Sequence, residues 1–230
     1  MKRIVVFTGA GVSAESGIQT FRDSNGLWEQ YKIEDVATPE AWRKNPHLVQ
    51  DFYNQRRKRL LEVEPNAAHY ALVELEEKFI VQIITQNIDD LHERAGSTNV
   101  MHLHGELRKS RSTADPSLIY PVNGWELKIG DTCNKGSQLR PHIVWFGESV
   151  PAMEEAIEWT QDADIFIVIG TSLEVYPAAS LLMYASDTSE KFLVDPYAKP
   201  PADIKGLRII RDTAGNGVPL IVNDLLKRYV

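Results

Sequence analysis

The chain has a single cysteine, Cys133, in 230 residues. One thiol excludes an intrachain disulfide and points to a reducing compartment. No apolar run approaches the roughly 18 residues that span a bilayer, and the short apolar stretch after Lys2-Arg3 is too brief for a secretory signal. No membrane association and a cytoplasmic location are therefore expected. Positive charge is also scarce, since 25 Lys and Arg against 32 Asp and Glu leave a formal charge of -7. Phosphate backbones need clustered cations, so no nucleic-acid partner is expected. The one basic cluster, Arg56-Arg57-Lys58-Arg59, reads as a solvated helix face. Internal repeats and low-complexity linkers are missing too, so nothing marks off independent domains.

What is present begins in the first 25 residues. An apolar run from Lys2 to Phe7 breaks into Thr8-Gly9-Ala10-Gly11-Val12-Ser13-Ala14. This predicts a strand, a tight glycine turn and a helix start, the geometry that brings backbone N–H groups against a pyrophosphate. A hydride-transfer domain would next show a second strand ending in an acidic residue about 20 residues on. The region instead reads SGIQTFRDSNGLWEQY. Turn formers and aromatics predict a loop folded over a bound ligand, and a dehydrogenase fits poorly.

Further along, Pro39 to Leu61 predicts one or two helices, with Leu48, Phe52 and Leu60 on one face. Tyr53 and Arg56 are three apart and project side by side; taken alone, they are a surface tyrosine beside a surface arginine. A helix from Ala67 to Lys78 leads into a buried parallel strand, Phe79 to Ile84. Thr85-Gln86-Asn87-Ile88-Asp89-Asp90-Leu91-His92 follows at the strand end, where open α/β sheets place ligands. Gln86, Asn87 and Asp89 are its short hydrogen-bonding groups, one of them an expected helix cap. His102 and His104 flank Leu103, which leaves open a metal pair, a general base or a structural histidine.

Residues 106 to 141 lose apolar periodicity over a length too great for an ordinary loop. They predict a small insert of a few short strands packed around Ile119, Tyr120, Trp125 and Leu127. The sheet is expected to resume with strands at 142 to 148, 163 to 170, 191 to 195 and 207 to 210, and to close with a helix from Pro219 to Tyr229. Strands alternating with helices define an α/β fold, a Rossmann-like doubly wound parallel sheet with a small inserted domain.

Five ordered segments, GAGVSAESGIQTFR, TQNIDDLH, HLHGEL, LRPHIVWFGE and GTSLEVYPAAS, together resemble the sirtuins, NAD-dependent protein lysine deacylases. The resemblance spans nearly the whole chain. It implies a single catalytic unit with a large domain (about 1 to 30, 79 to 105 and 142 to 230) and a small domain (about 31 to 78 and 106 to 141). NAD and an acyl-lysine protein or peptide would meet between them, in a monomer. Gly9, Ala10, Gly11, Ser13, Phe21 and Arg22 would line the NAD site. Gln86, Asn87 and Asp89 would surround nicotinamide and its ribose, and Gly170, Thr171, Ser172, Asp195 and Ala214 the adenosine side. His104 matches the family's general base and His102 does not, while Asn87, also catalytic, would help place nicotinamide or water. Val144, Trp145, Phe146 and Gly147 would hold the substrate peptide as an added strand.

Ala37, Tyr53 and Arg56 occupy the places that, in the branch removing acidic acyl groups, open the acyl pocket and bind a distal carboxylate. The resemblance thus implies removal of succinyl and malonyl groups, with acetyl as a further substrate. ADP-ribosyl transfer, NAD hydrolysis and a non-catalytic NAD sensor are the alternatives on the same fold. Two positions depart from the family. Its structural zinc is held by two Cys-x-x-Cys pairs, and the matching positions here are taken as Ser110, Thr113, Cys133 and Gly136. One thiolate cannot build that site, so no metal is expected. Asp195 stands where the family commonly has asparagine.

Overall fold

The structure, a computed structural model, is described for residues 1–18, 31–199 and 204–229. Strand β1 (Arg3–Thr8) runs up the middle of a sheet with β2 (Ile80–Thr85), β3 (Val100–His102), β7 (Ile165–Ile169), β8 (Glu190–Val194) and β9 (Leu207–Ile210). Their order is β3-β2-β1-β7-β8-β9 and every pairing is parallel. The apolar runs are continuous because both sheet faces are covered. Ile4 and Val6 point into one layer with Leu72 and Leu75 of α4 (Ala67–Leu75) and Ile221 and Leu225 of α8 (Ala214–Arg228). Val5 and Phe7 point into the other, against Ala156 of α6 (Met153–Gln161) and Leu181 of α7 (Leu181–Tyr184).

Strand order reverses between β1 and β7, which opens a crevice at their carboxyl ends. There the Gly9 N–H donates to Ile169 O (2.9 Å) and the Gly11 N–H to Gly170 O (2.8 Å). A Cβ on Gly11 would stand 2.6 Å from the Gly170 Cα, so the two turns can touch only as glycines. The helix start expected after Gly11 is instead two single 3-10 turns, Ala10–Val12 and Ala14–Ser16. Gly17, at φ +91°, ends the second one before a longer helix can propagate.

A second sheet, antiparallel, orders β5 (Ile119–Pro121), β4 (Gly105–Ser112) and β6 (Leu139–Ile143). The strand expected at 142 to 148 therefore ends at Ile143 and belongs to this sheet. Beyond it the chain turns, with Gly147 at φ +89°. The module packs on Val122, Leu127, Cys133 and Leu139, with Tyr120 against them. Ile119 and Trp125, expected inside, are exposed. Three short strands cannot cover both of their faces, so alternate large side chains stay in solvent.

Helices α1 (Ile33–Val36), α2 (Pro39–Lys44) and α3 (Pro46–Leu60) pack on one another, and α3 also packs on β4 and β6 of the small sheet. Thr38 and Asn45 cap α2 and α3 through the Ala41 and Leu48 N–H groups, each with proline at the first turn. The last helix begins at Ala214, five residues before Pro219, which the sequence placed at its start. Gly217 lets it lie close on the sheet, since a Cβ there would meet Val194 Cγ1 at 2.6 Å.

Candidate active site

A cavity of about 700 Å³ runs from the β1/β7 crevice to the outer wall formed by α3 and the chain after β6. Gly9, Ala10 and Gly11 line one end, with Gly170, Thr171 and Ser172 facing them. Gly9 and Gly11 pack directly on the Gly170–Thr171 chain, where a Cβ on either would clash at 2.7 and 2.6 Å, so the two turns bring bare backbone to the edge of the cavity, the kind of surface a pyrophosphate can approach. Asp195, at the end of β8, and Ala214, at the start of α8, close this end. Asp195 accepts from the Tyr197 N–H (2.7 Å). Phe21 and Arg22 lie outside the described residues, as does most of the loop expected over the ligand.

The polar cluster after β2 is tied to the glycine turn. The Gln86 amide donates to Thr171 Oγ1 (3.0 Å) across the crevice. The Asn87 amide donates to Gly9 O and to Ser13 Oγ, both at 3.2 Å. Ser13 donates in turn to Asp89 Oδ2 (3.0 Å), whose other oxygen accepts from the Leu91 N–H (3.2 Å) at the start of α5 (Leu91–Ala95). Ser13 is wholly buried and stands behind the cavity wall, orienting Asn87 and Asp89. Burial pushes the Asp89 carboxyl up, against the pull of its Leu91 and Ser13 hydrogen bonds.

His104 lines the middle of the cavity, and its Nδ1 lies 3.0 Å from the Gln86 carbonyl. A carbonyl only accepts, so Nδ1 carries the proton and the neutral ring keeps its lone pair on Nε2. Burial holds this imidazole below its ordinary value, so it is neutral near pH 7. The ring is built as a proton acceptor.

At the outer end, Ala37, Tyr53 and Arg56 line the wall together with Val144, Trp145, Phe146 and Gly147. The tyrosine–arginine pair is thus no solvated surface. Tyr53 is 2% exposed because Trp145 covers this face of α3, and burial pushes its phenol up to about 12. Burial lowers the Arg56 guanidinium, opposed by Tyr53 and Asp89. The neighbouring Arg57, also expected in solvent, is fully buried and donates to Leu107 O (2.6 Å), Asn54 Oδ1 (2.8 Å) and Trp125 O (2.8 Å). It bolts α3 to the small sheet.

Sequence reasoning missed two supports. The Trp145 indole N–H donates to Tyr53 Oη (3.0 Å), while Arg140 stacks on the Trp145 ring at 3.3 Å and pairs with Glu148 (2.7 Å). At the other end, Glu15 accepts from Thr213 Oγ1 (3.0 Å) and from the Gly215 N–H (2.6 Å), fixing the first turn of α8 to the glycine loop. The Tyr53–Trp145 and Glu15–Thr213 links have no local signal, because their partners are remote in sequence.

Among the described residues no three His, Cys, Asp or Glu side chains are grouped to hold a metal ion. The matching of Ser110 and Thr113 to zinc positions is corrected. Ser110 donates to Tyr120 O and Thr113 to Gln138 O, whereas Ser112 hydrogen-bonds the Cys133 thiol and holds it below its ordinary value. Ser112 pairs with Leu139, where the turn carrying Cys133 returns, and Ser110 sits one pleat deeper opposite Pro141.

A glycine crevice at the switch point of a parallel sheet defines an α/β protein of the Rossmann-like class. The Sir2 family model matches residues 9–177, and the chain belongs to that family. It is 52% identical over 223 residues to an NAD-dependent protein deacylase of Bacteroides thetaiotaomicron, covering 95% of each chain. It is likewise 52% identical over 229 residues to one of Helicobacter pylori, covering 99% of each. Among solved structures, a Sir2 homologue in complex with NAD superposes at a TM-score of 0.90 with 41% identity, over 100% of this chain and 91% of that one.

Proposed function

We propose that this Sir2-family chain, an NAD-dependent protein deacylase like the relatives it matches, removes succinyl and malonyl groups from lysine in preference to acetyl. The observation that carries the acyl preference is the outer wall of the cavity, where Ala37 leaves room and Tyr53 and Arg56 present a phenol and a guanidinium. Tyr53 Oη already accepts the Trp145 N–H, so its own proton is free to be donated. A guanidinium adds two charge-assisted hydrogen bonds to a carboxylate, which an acetyl group lacks.

In this reading Gly9, Ala10, Gly11, Gly170, Thr171 and Ser172 hold the phosphates and adenosine, with Phe21 and Arg22 as further NAD contacts. Asp195 and Ala214 border the adenosine, and Gln86, Asn87 and Asp89 orient nicotinamide and its ribose. NAD, when bound, supplies a ribosyl carbon with a good leaving group and is the acceptor of the acyl group. His104 takes a proton at Nε2 from a ribose hydroxyl, a task its neutral, Nδ1-protonated ring suits. Val144 to Gly147 pair with the substrate backbone, with the Val144 N–H already fixed on His104 O (2.9 Å). No zinc is used, and the protein acts as a monomer on acylated proteins or peptides.

Arg56→Met tests this. Loss of two charged hydrogen bonds lowers kcat/KM for a succinyl-lysine peptide roughly 100-fold, while acetyl-lysine turnover remains measurable. Equal loss on both peptides would remove Arg56 from acyl recognition.

A further inference from the structure

His102 and His104 sit two residues apart and hold successive carbonyls of the loop after β2. His104 Nδ1 faces Gln86 O and His102 Nδ1 faces Asn87 O, each at 3.0 Å. The two rings differ at their other nitrogen. That of His102 lies 2.7 Å from Glu93 Oε1 on α5, and its side chain is 7% exposed. Both neighbours of His102 are acceptors, a carbonyl and a carboxylate. A neutral imidazole has one N–H and can serve only one of them, so the geometry is satisfied only by the imidazolium.

We infer that His102, held as an imidazolium between Glu93 and the Asn87 carbonyl, is a positioning residue that sets Asn87 for the reaction. The rest of Asn87 is already fixed. Its N–H donates to Thr85 Oγ1 (3.0 Å) and its amide nitrogen to Gly9 O and Ser13 Oγ. With the carbonyl on His102, Oδ1 is the one polar atom of Asn87 not engaged within the protein among the described residues. It is the atom left to meet a ligand.

The charges around the ring support the same state. Burial pulls His102 down, but Glu93, Asn87 O and Glu106 outweigh it and hold the imidazole above its ordinary value. Glu106 is itself paired with Lys109 (2.7 Å). On the inner side Asp89 is favoured in its charged form by His102, and buried His92 is pushed towards its neutral form by it. When His102 loses its proton, the charge-assisted Nε2–H to Glu93 is the stronger bond and is kept. Asn87 O then faces a lone pair and is released.

This inference rests on the NAD-cleaving reading for its kinetic arm alone. The first experiment is ¹⁵N NMR of the full chain labelled at histidine, with the His102 signals assigned by their loss in His102→Asn. At pH 7 His102 carries protons on both nitrogens and His104 on one; a singly protonated His102 overturns the inference. The second is the pH profile of kcat for nicotinamide release. The wild type rises as His104 becomes neutral and falls at higher pH as His102 does. His102→Asn keeps an uncharged donor where Nδ1 stands, so it retains the rising limb and loses the falling one. His102→Leu lowers kcat roughly 10- to 100-fold. A falling limb unchanged in His102→Asn, or none in the wild type, contradicts the assignment. If no acylated peptide is turned over, the functional reading fails, and the NMR result still decides the state of His102.

Discussion

The two sheets that flank the cavity are held together in different ways. The six-stranded parallel sheet is dry, with Ile4, Val5, Val6 and Phe7 fully buried between helical layers, and it offers the site little besides backbone. The module of the three-stranded sheet has only a small core cluster of its own, Val122, Leu127, Cys133 and Leu139, and depends on cations that reach across gaps. Arg57 ties it to α3, and Arg140 and Arg111 meet on Glu148. A backbone cradle suits a ligand recognised by its phosphates, whereas a wall of oriented side chains suits a variable acyl group. The first tolerates no added atoms. The second tolerates substitution at some cost in stability or selectivity.

The comparison is broken most sharply at Gly170. At φ +61°, with a Cβ only 2.4 Å from the Val12 N, Gly170→Ala is strained in backbone and in space together. NAD affinity by calorimetry falls at least ~100-fold, the scale of a cost of about 3 kcal/mol or more. Arg57→Ala does the reverse. It removes the buried donor shared by Leu107 O, Asn54 Oδ1 and Trp125 O and lowers stability by about 3 kcal/mol in urea unfolding, while on the proposed zinc-free reading a chelator leaves the melting temperature unchanged. NAD affinity should stay within about twofold.

A smaller effect comes from the histidines behind β2. His69 is fully buried and stacks edge-on against His92 at 4.8 Å, and burial lowers it from 6.5 to about 4. The folded state keeps the ring neutral while the unfolded chain takes a proton below pH 6.5. Its stabilisation is therefore complete above that pH and declines as pH falls towards 4, by up to about 3 kcal/mol. Stability measured in urea at pH 7 and pH 4.5 checks this, and His69→Gln should flatten the difference.

Most of the parallel sheet was legible because burial on both faces forces continuous apolar runs, and the glycine turns carry their constraint within a few residues. The wall that carries Tyr53 and Arg56 was not legible from the residues themselves. Tyr53 and Arg56 look like surface groups on α3, and residues remote in sequence, Trp145 92 positions away with Leu107 and Ile143 of the small sheet, make that face an interior one. Arg57 was misplaced for the same reason, since two of its three acceptors, Leu107 O and Trp125 O, come from the insert, whose few short strands the sequence marks without saying where they pack on α3. Resemblance to a family supplied what periodicity could not. It also misled at Ser110, where counting residues without strand register chose the wrong serine for Cys133.

The central claim is that a backbone-built nucleotide crevice and a guanidinium-bearing acyl wall serve one reaction, the first holding NAD and the second the acyl group. The most direct measurement is an NAD-dependent assay of the purified protein on matched succinyl-lysine and acetyl-lysine peptides, with peptide and nucleotide products both identified by mass. Faster loss of succinyl, with O-succinyl-ADP-ribose formed in equal amount to nicotinamide, is the result this account predicts. Turnover of acetyl-lysine alone would contradict the role given to Tyr53 and Arg56, and nicotinamide release without any acylated nucleotide would contradict deacylation itself.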